Sequence, residues 1–275
     1  MRAAQVVGQG RLEAVEVPVS TPGEGEVLVR LERAAVCGSD LHTVYDGFYR
    51  QGYPGPAGFP GHEGVGRVEE SRSPQFQPGD WVLSAPVGQY SRCYADFQVT
   101  AERFLVPLPE GGDPASLLMA QQLGTVVNAF RRFWPPGMEA TGKTVGILGA
   151  GSAGLFFLQL AKLAGFATAV VADRSRLRLK LAESAGADRV VTAPAESFVD
   201  AVQDLTGGEG ADLVVEAVGF DATRIQALEA VRRHGRVGYF GFPEAPEGPS
   251  SWSFNLAWRK APTLDVVNGT QTEPG

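Results

Sequence analysis

The sequence predicts an α/β protein with two domains: a mainly β domain, followed by a doubly wound parallel sheet covered by helices on both faces. Its 275 residues are enough for one large core or two ordinary ones. In roughly the first 110 residues, short apolar or alternating runs are broken by Gly and Pro, as in β domains. After residue 144, apolar runs alternate with segments of helical period, which is typical of a parallel sheet.

The first domain is predicted from its short strands and its loop. Four runs have strand character, at residues 27–31, 64–68, 81–84 and 97–99. Residues 52–61 are crowded with Pro and Gly, which cannot sustain a helix or a central strand, so we expect an ordered loop. One helix, or two, follows at 115–133 and ends at Trp134-Pro135-Pro136-Gly137. We place the domain boundary within this helical segment, which gives domains of residues 1–125 and 126–275.

The second domain is predicted as six strands with helices between them. The predicted strands are residues 144–148, 168–172, 189–191, 213–217, 236–240 and 264–267. The predicted helices are residues 153–164, 176–184, 197–205 and 225–233. Because a helical segment separates most successive strands, we expect the strands to run parallel.

A glycine-rich turn follows the strand at 144–148 and opens the next helix, in the order Gly149-Ala150-Gly151-Ser152-Ala153-Gly154. Backbone N–H groups and the positive end of the helix can then face a pyrophosphate. Gly149 would allow the turn, Gly151 would let the backbone approach phosphate, and Gly154 would let the helix pack closely. The pattern indicates a dinucleotide-binding site over residues 149–154; an ordinary glycine turn is the alternative.

Asp173 strengthens the dinucleotide interpretation. It ends the next predicted strand, 19 residues after Gly154, where a carboxylate can hydrogen-bond a ribose diol. Because that carboxylate would repel a 2′-phosphate, the sequence predicts NAD. Arg174 and Arg176 lie close enough in sequence to keep NADP open.

Composition excludes several classes of protein. Lys plus Arg number 24 and Asp plus Glu number 31, so a formal charge of −7 offers no general attraction for nucleic acid or an anionic membrane. Two cysteines are too few for a disulfide framework and suit a reducing cytoplasm. Nowhere do 18 apolar residues run together, and the N-terminus has no apolar signal region. We expect a soluble cytoplasmic protein whose partner is a small molecule.

A second group of chemically active residues lies in the first domain. Cys37 begins Cys37-Gly38-Ser39-Asp40-Leu41-His42, and His62 follows 25 residues later. A thiolate and an imidazole suit zinc, and with a third ligand and an open position they would polarise an alcohol or carbonyl oxygen. They share a site only if the fold brings them together, so spacing leaves both a metal site and a buried structural cysteine open.

Four motifs in this order resemble the zinc-dependent medium-chain dehydrogenase/reductase family, in its alcohol, polyol and threonine dehydrogenase branch. They are Cys37-Gly-Ser-Asp-x-His, Gly61-His62-Glu63-Gly-x-Gly, Pro78-Gly79-Asp80-Trp-Val and Gly149-x-Gly-x-x-Gly. The resemblance spans nearly the whole chain. It implies a GroES-like catalytic domain with one zinc at 1–125, a Rossmann dinucleotide-binding domain at 126–275, and alcohol/ketone interconversion in the cleft between them. Family members commonly pair through Rossmann sheet edges, which implies a homo-oligomer.

The resemblance also assigns roles to single residues. Cys37 and His62 match two zinc ligands, and Glu63 matches a carboxylate beside the metal or on it. Arg178 matches a position near the adenosine ribose. Ser39 matches the hydroxyl that passes the substrate proton outward, and Asp40 and His42 match supporting and relay positions; for His42, a surface histidine is the alternative. The implied catalytic residues are therefore Ser39, Asp40, His42 and Glu63.

The chain departs from the family in three places. Gln121 stands where zinc-binding relatives place a Cys or Glu as third ligand, and a neutral amide is a poor zinc ligand. Either Glu63 completes the site, or zinc binds more weakly, or zinc has been lost. The cysteine-rich lobe that holds a structural zinc in relatives is missing, so we expect no second zinc. Relatives also continue past the last predicted strand, whereas this sequence stops at Gly275, which leaves open whether the chain is a fragment.

The leading functional hypothesis is zinc-assisted hydride transfer between a secondary alcohol and NAD(P), with a polyol, cyclitol, sugar or amino alcohol as substrate. Two alternatives stay open. Gln121 favours a metal-free NAD(P)H-dependent quinone or enone reductase of the same fold. The incomplete ligand set also admits a non-catalytic dinucleotide-binding module. Tyr45, Phe48, Tyr49 and Tyr53 either line a substrate pocket or fill the core under a loop.

Overall fold

The first 122 residues are organised around a five-stranded antiparallel sheet in a computed structural model of the chain, which describes residues 1–46, 52–244 and 252–267. A separate hairpin precedes the sheet and consists of Arg2–Gly8 (β1) and Arg11–Glu16 (β2). In spatial order, the strands of the sheet are Phe97–Ala101 (β6), Glu26–Ala34 (β3), Gly64–Ser71 (β4), Trp81–Ser84 (β5) and Leu105–Pro107 (β7). All four strands predicted for this region are confirmed.

Alternation of apolar residues explains how this sheet forms its core. Val27 and Val29 stand two residues apart on β3, therefore on one face, and both are fully buried. They pack with Val68 of β4 and Val82 of β5. These residues bury this face of the sheet, and the pairing of β3 with β4 positions the site described below.

One helix in this region was not predicted. Residues Gly38–Tyr45 (α1) form a two-turn helix directly after β3. Asp40 stabilises its start, since its carboxylate accepts the N–H of Cys37 at 2.8 Å, which is one half of a capping box. The sequence signal for this helix is a single capping residue in a short segment. That signal is too weak to stand out in a mainly β region. The loop predicted at 52–61 is confirmed in its described part, since residues 52–61 contain neither helix nor strand.

The second unit, residues 123–275, contains a six-stranded sheet in which all neighbours are parallel. In spatial order, its strands are Arg189–Thr192 (β10), Thr168–Asp173 (β9), Thr144–Leu148 (β8), Ala211–Glu216 (β11), Val231–Tyr239 (β12) and Thr263–Val266 (β13). The chain order reverses between β8 and β11. In open α/β sheets, ligands bind beside the carboxyl ends of the strands at such a switch point.

Helices connect the strands of this sheet and cover both of its faces. They are Ser152–Ala164 (α3), Arg176–Ser184 (α4), Phe198–Leu205 (α5), Asp221–Ala230 (α6) and Phe254–Lys260 (α7). All five residues of β8 are buried: Val145 and Ile147 belong to one apolar cluster, and Leu148 to the other. A strand buried on both faces is a feature of parallel sheets and explains why β8 reads as a continuous apolar run. The predicted combination of a GroES-like β domain with a doubly wound Rossmann sheet is confirmed.

Several boundaries differ from the predictions. The helix expected at 115–133 is a single helix, Pro114–Phe133 (α2), and both the division between the units at Gln122 and the predicted boundary at 125 fall within it. The prediction of a helix at 225–233 was wrong at both ends. The helix begins at Asp221 and ends at Ala230. Val231 already has extended backbone, is fully buried and pairs with Ala211 of β11. Helix α7 was not predicted. The described residues contain no helix with the length and apolar character needed to cross a membrane.

Candidate active site

The glycine-rich turn after β8 uses each of its three glycines differently. Gly149 has φ of +100°, a left-handed conformation that favours glycine. Gly151 precedes α3, and a Cβ built there would meet nothing within 4 Å, so the space beside this backbone is open. A Cβ on Gly154 would overlap the carbonyl oxygen of Gly149. The roles predicted for the first two glycines agree with this geometry, while Gly154 brings α3 against the turn more than against the strand.

The start of α3 offers backbone donors beside that open space. The first turn of a helix leaves N–H groups without intrahelical partners. Gly151, as the residue that precedes the helix, has no side chain with which to cap them. Ser152 and Ala153 therefore begin a helix whose N–H groups and positive dipole end suit a phosphate.

Asp173 lies against this turn. Its carboxylate is at the end of β9, where Oδ2 accepts the N–H of Ala150 at 2.8 Å and Oδ1 accepts the N–H of Ser175 at 2.8 Å. Arg178, on the first turn of α4, brings Nη1 to 3.9 Å from Oδ2 while most of its side chain stays exposed. The acid therefore contacts the glycine turn, which is the arrangement that a dinucleotide site requires. The hydrogen bond from Asp173 to the turn is an additional structural role that the sequence did not indicate.

A second carboxylate, at the end of β11, was not predicted from the sequence. Glu216 is fully buried, and its Oε1 accepts three hydrogen bonds of 2.8 Å, from the N–H groups of Val218 and Gly219 and from the hydroxyl of Thr223. The side chain of Val218 would lie 3.0 Å from a Cβ placed on Gly149. Glu216 thus holds the loop that supports the glycine turn from behind. An acid that ends an apolar strand was the available signal.

Cys37, His62 and Glu63 come together in the first unit. One potential ligand atom from each lies within 4.8 Å of the other two. Strand pairing explains this proximity: Ala34, near the end of β3, pairs with Gly64 at the start of β4. The segment after β3 therefore runs beside the segment before β4, and residues 25 apart in sequence meet.

Asp40 orients the imidazole of His62. The carboxylate is 3% exposed, and its Oδ1 lies 3.0 Å from Nδ1 of the ring. This contact directs Nε2 away from Asp40, and Nε2 lies 3.8 Å from Oε1 of Glu63. When Nδ1 carries the proton and donates it to Asp40, Nε2 keeps a lone pair for a metal ion.

The electrostatics of these groups favour a positive charge among them. Burial lowers the pKa of His62, but hydrogen bonds to Asp40 and Cys37 outweigh it and raise the pKa to about 11. Burial raises the pKa of Glu63; the nearby His62 opposes this effect and Asp40 adds to it. Two buried carboxylates around one imidazole therefore form a place where a cation is stabilised.

The donor set fits zinc. A thiolate, an imidazole and a carboxylate are the ligands of catalytic zinc, which keeps a fourth position open. The potential ligand atoms of the three residues lie within 4.8 Å of one another, so together they could hold a zinc ion. Glu63 lies where a third donor is needed, so these three residues could form a three-ligand site without Gln121.

The remaining implied catalytic residues lie on α1. Ser39 is partly exposed, and its carbonyl oxygen accepts the hydroxyl of Thr43 at 2.8 Å. His42 follows three positions later, hence on the same side of the helix, and its Nδ1 lies 2.6 Å from Oδ2 of Asp46. Tyr45 and Tyr53 are both exposed, whereas Phe48 and Tyr49 lie outside the described residues.

Comparisons with known proteins agree with the motifs. Residues 23–115 match the alcohol dehydrogenase GroES-like domain, and residues 153–271 match the zinc-binding dehydrogenase domain. The chain is 31% identical over 285 residues to L-threonine 3-dehydrogenase of Pyrococcus furiosus, a match that covers 94% of this chain and 79% of the relative. It is also 31% identical over 284 residues to 5-exo-hydroxycamphor dehydrogenase of Pseudomonas putida, which covers 87% of this chain and 76% of that protein.

A solved structure extends the likeness to the fold. An alcohol dehydrogenase from Thermus sp. ATN1 has a TM-score of 0.82 and 30% sequence identity to this chain, and the match covers 97% of this chain and 84% of that one. Its likeness covers both the antiparallel sheet and the parallel sheet of this chain. Motifs, domains, relatives and fold thus agree: the chain belongs to the zinc-type medium-chain dehydrogenase family and is an NAD(P)-dependent oxidoreductase of the alcohol dehydrogenase type.

Proposed function

We propose that the chain catalyses hydride transfer between a secondary alcohol and NAD, with one zinc ion held by Cys37, His62 and Glu63. The observation that carries the proposal is the convergence of these three donors within 4.8 Å, with Asp40 placed behind His62. The relatives named above are dehydrogenases of hydroxyl-bearing compounds. Polyols, cyclitols, sugars and amino alcohols are therefore the substrates to test first.

The residues of the first unit divide the acid–base work between them. A zinc ion at the three donors supplies a Lewis acid that lowers the pKa of a substrate hydroxyl. The hydroxyl of Ser39 accepts the substrate proton and passes its own proton outward. His42, held by Asp46 at 2.6 Å, takes that proton toward solvent. A bound nicotinamide would accept the hydrogen of the substrate C–H bond together with its electron pair as a hydride, so the products would be a ketone, NADH and one proton.

The residues of the second unit bind the dinucleotide. Backbone N–H groups at 151–154 receive the pyrophosphate, and the carboxylate of Asp173 receives the adenosine ribose diol. That carboxylate already accepts two backbone N–H groups, which fixes its direction. A 2′-phosphate at the same place would meet its negative charge, so we propose NAD as the preferred cofactor, with Arg178 beside the ribose.

The proposal is tested by metal analysis and by activity on a panel of secondary alcohols. We expect about one zinc per chain from the three-donor set, NADH formation with at least one alcohol, loss of metal and activity after treatment with a chelator, and recovery of both with added zinc. Activity on quinones or enones that survives removal of the metal would support the metal-free reductase instead. NADH binding without turnover of any alcohol or carbonyl would support the non-catalytic alternative.

Substitutions of Glu63 and of Gln121 are expected to have different effects on zinc affinity, and so identify the third ligand. If Glu63 completes the site, Glu63→Gln is expected to weaken zinc binding by at least roughly tenfold, because an anionic donor becomes a neutral amide. Gln121→Ala is expected to leave zinc affinity within a factor of about two, since removing a group that does not bind metal costs none of the coordination energy.

Competition with a chromophoric chelator measures both affinities. Glu70→Gln is the matched control, because Glu70 is an exposed glutamate on β4. If Gln121→Ala releases zinc while Glu63→Gln retains it, the assignment of the third ligand is wrong.

A further inference from the structure

The hydroxyl of Tyr94 reaches the carboxylate that orients His62. It donates to Oδ2 of Asp40 at 2.6 Å and also lies 3.1 Å from the carbonyl oxygen of Ala35. The same Oδ2 accepts the N–H of Cys37 at 2.8 Å. Two donors therefore hold one oxygen of Asp40, and the other oxygen, Oδ1, faces Nδ1 of His62 at 3.0 Å.

The ring of Tyr94 is also packed beside the segment that carries His62. A Cβ placed on Gly61 would lie 2.9 Å from two ring carbons of Tyr94 and 2.7 Å from its backbone nitrogen. This contact requires a glycine immediately before His62. The backbone N–H of Tyr94 in turn donates to the carbonyl oxygen of Gly58 at 3.0 Å. Tyr94 thus touches the segment that carries His62 and, through Asp40, the segment that carries Cys37.

We propose that Tyr94 is a positioning residue: its hydroxyl holds the Asp40 carboxylate so that Oδ1 accepts from Nδ1 of His62 and Nε2 of His62 is aimed at the metal. This inference rests on the proposed function for its effect on zinc. The geometry of the Asp40–His62 hydrogen bond, by contrast, does not depend on a bound metal.

The physical basis is the strength and direction of the Tyr94–Asp40 hydrogen bond. The hydrogen bond from the Tyr94 hydroxyl to the Asp40 carboxylate is 2.6 Å long, so it is short and charge-assisted. Asp40 is almost fully buried, so water cannot readily replace a lost donor. Without Tyr94, the N–H of Cys37 would be the one remaining donor to Oδ2 among the described residues, and the carboxylate could rotate about its bond to Cβ.

The test compares Tyr94→Phe with Tyr90→Phe. Phenylalanine at 94 keeps the ring against Gly61 and removes only the hydroxyl. Tyr90 is the matched control, because its hydroxyl donates to a different carboxylate, that of Glu26, at 2.9 Å in the same unit. Three properties are measured for both variants and for the original chain. They are the zinc affinity, the visible spectrum of the cobalt-substituted protein and the NMR signal of the His62 Nδ1–H.

We expect Tyr94→Phe to weaken zinc binding by roughly 3–10-fold, as for one hydrogen bond in a metal's surroundings. It should also shift the cobalt spectrum and move or broaden the His62 Nδ1–H signal. Tyr90→Phe should change none of these. If Tyr94→Phe leaves the His62 signal and the cobalt spectrum unchanged, the inference is overturned, even if thermal stability falls.

Two further measurements test the role of Tyr94 if the chain binds no zinc or if Tyr94→Phe does not fold. If the original chain binds no zinc, the proposed function fails, and the NMR signal of the metal-free protein still decides the role of Tyr94. If Tyr94→Phe does not fold, a ring-fluorinated tyrosine at position 94 keeps the ring and strengthens hydrogen-bond donation. It should shift the His62 Nδ1–H signal, whereas the same residue at position 90 should not; equal signals in both would contradict the proposal.

Discussion

Cys37→Ser and His62→Ala are expected to lose zinc and to lower kcat/KM for alcohol oxidation by roughly a thousandfold or more. A Lewis acid at a developing oxyanion contributes several kcal/mol to the transition state, and about 1.4 kcal/mol corresponds to a factor of ten in rate. Each variant removes one of the three donors that converge within 4.8 Å among the residues that the structure describes. Zinc content by elemental analysis and NADH formation by absorbance are the two measurements.

The chain offers a matched control for each of these variants. Cys93 is a buried thiol beside Gln98, and Cys93→Ser is expected to reduce thermal stability but to retain zinc. His234 is exposed and has φ of +58°, a conformation that asparagine tolerates, so His234→Asn is expected to retain both zinc and activity. Should Cys37→Ser keep its full zinc content and activity, the metal site would have to lie elsewhere.

Asp173→Ala is expected to weaken NAD binding by roughly 100-fold and NADP binding by much less. The substitution removes the acceptors for the ribose diol and leaves the N–H groups of Ala150 and Ser175 without their carboxylate partner. Each lost or unsatisfied hydrogen bond of this kind costs about 1–3 kcal/mol. For NADP, the loss of charge repulsion at the 2′-phosphate partly offsets that cost. Dissociation constants for both cofactors give the ratio.

Asp188→Ala controls for structural damage. Asp188 also accepts a backbone N–H, that of Ala169 at 2.7 Å, and pairs with Lys162 at 2.9 Å. Asp188 precedes β10, and Ala169 lies near the start of β9. These contacts are therefore at the amino ends of the strands, whereas the glycine turn is at their carboxyl ends. This variant should lose stability without changing the ratio of NAD to NADP affinity. A parallel fall of both affinities in Asp173→Ala would argue against a ribose contact.

The parallel sheet could be predicted because its signals are local. Buried strands such as β8 read as apolar runs, and Ser175 and Ser197 cap the helices that follow their strands by accepting N–H groups three residues on. Gly149 and Gly154 mark the turn by conformations and contacts that only glycine accepts. Each of these features is decided within a few residues of chain.

The candidate metal site could be predicted only in part. The motif resemblance indicated Cys37, His62 and Glu63, but residue spacing could not show that the three meet. Their convergence depends on the pairing of β3 with β4, which joins segments far apart in sequence. Helix α1 was missed because a single cap, that of Asp40, stabilises its start. Tyr94 was missed because its partner Asp40 lies 54 residues away in sequence.

By itself, the sequence determined the two-domain α/β class, the glycine turn with the acid that ends the next strand, and the family to which the motifs belong, because periodicity, caps and glycines act over short stretches of chain. Only the tertiary structure decided that Cys37, His62 and Glu63 lie close together, that Asp173 accepts a hydrogen bond from the glycine turn, that Glu216 accepts one from the loop beside that turn, and that Tyr94 donates to Asp40. These contacts arise from strand register and loop paths, which depend on how distant segments pack and leave no local pattern in the sequence.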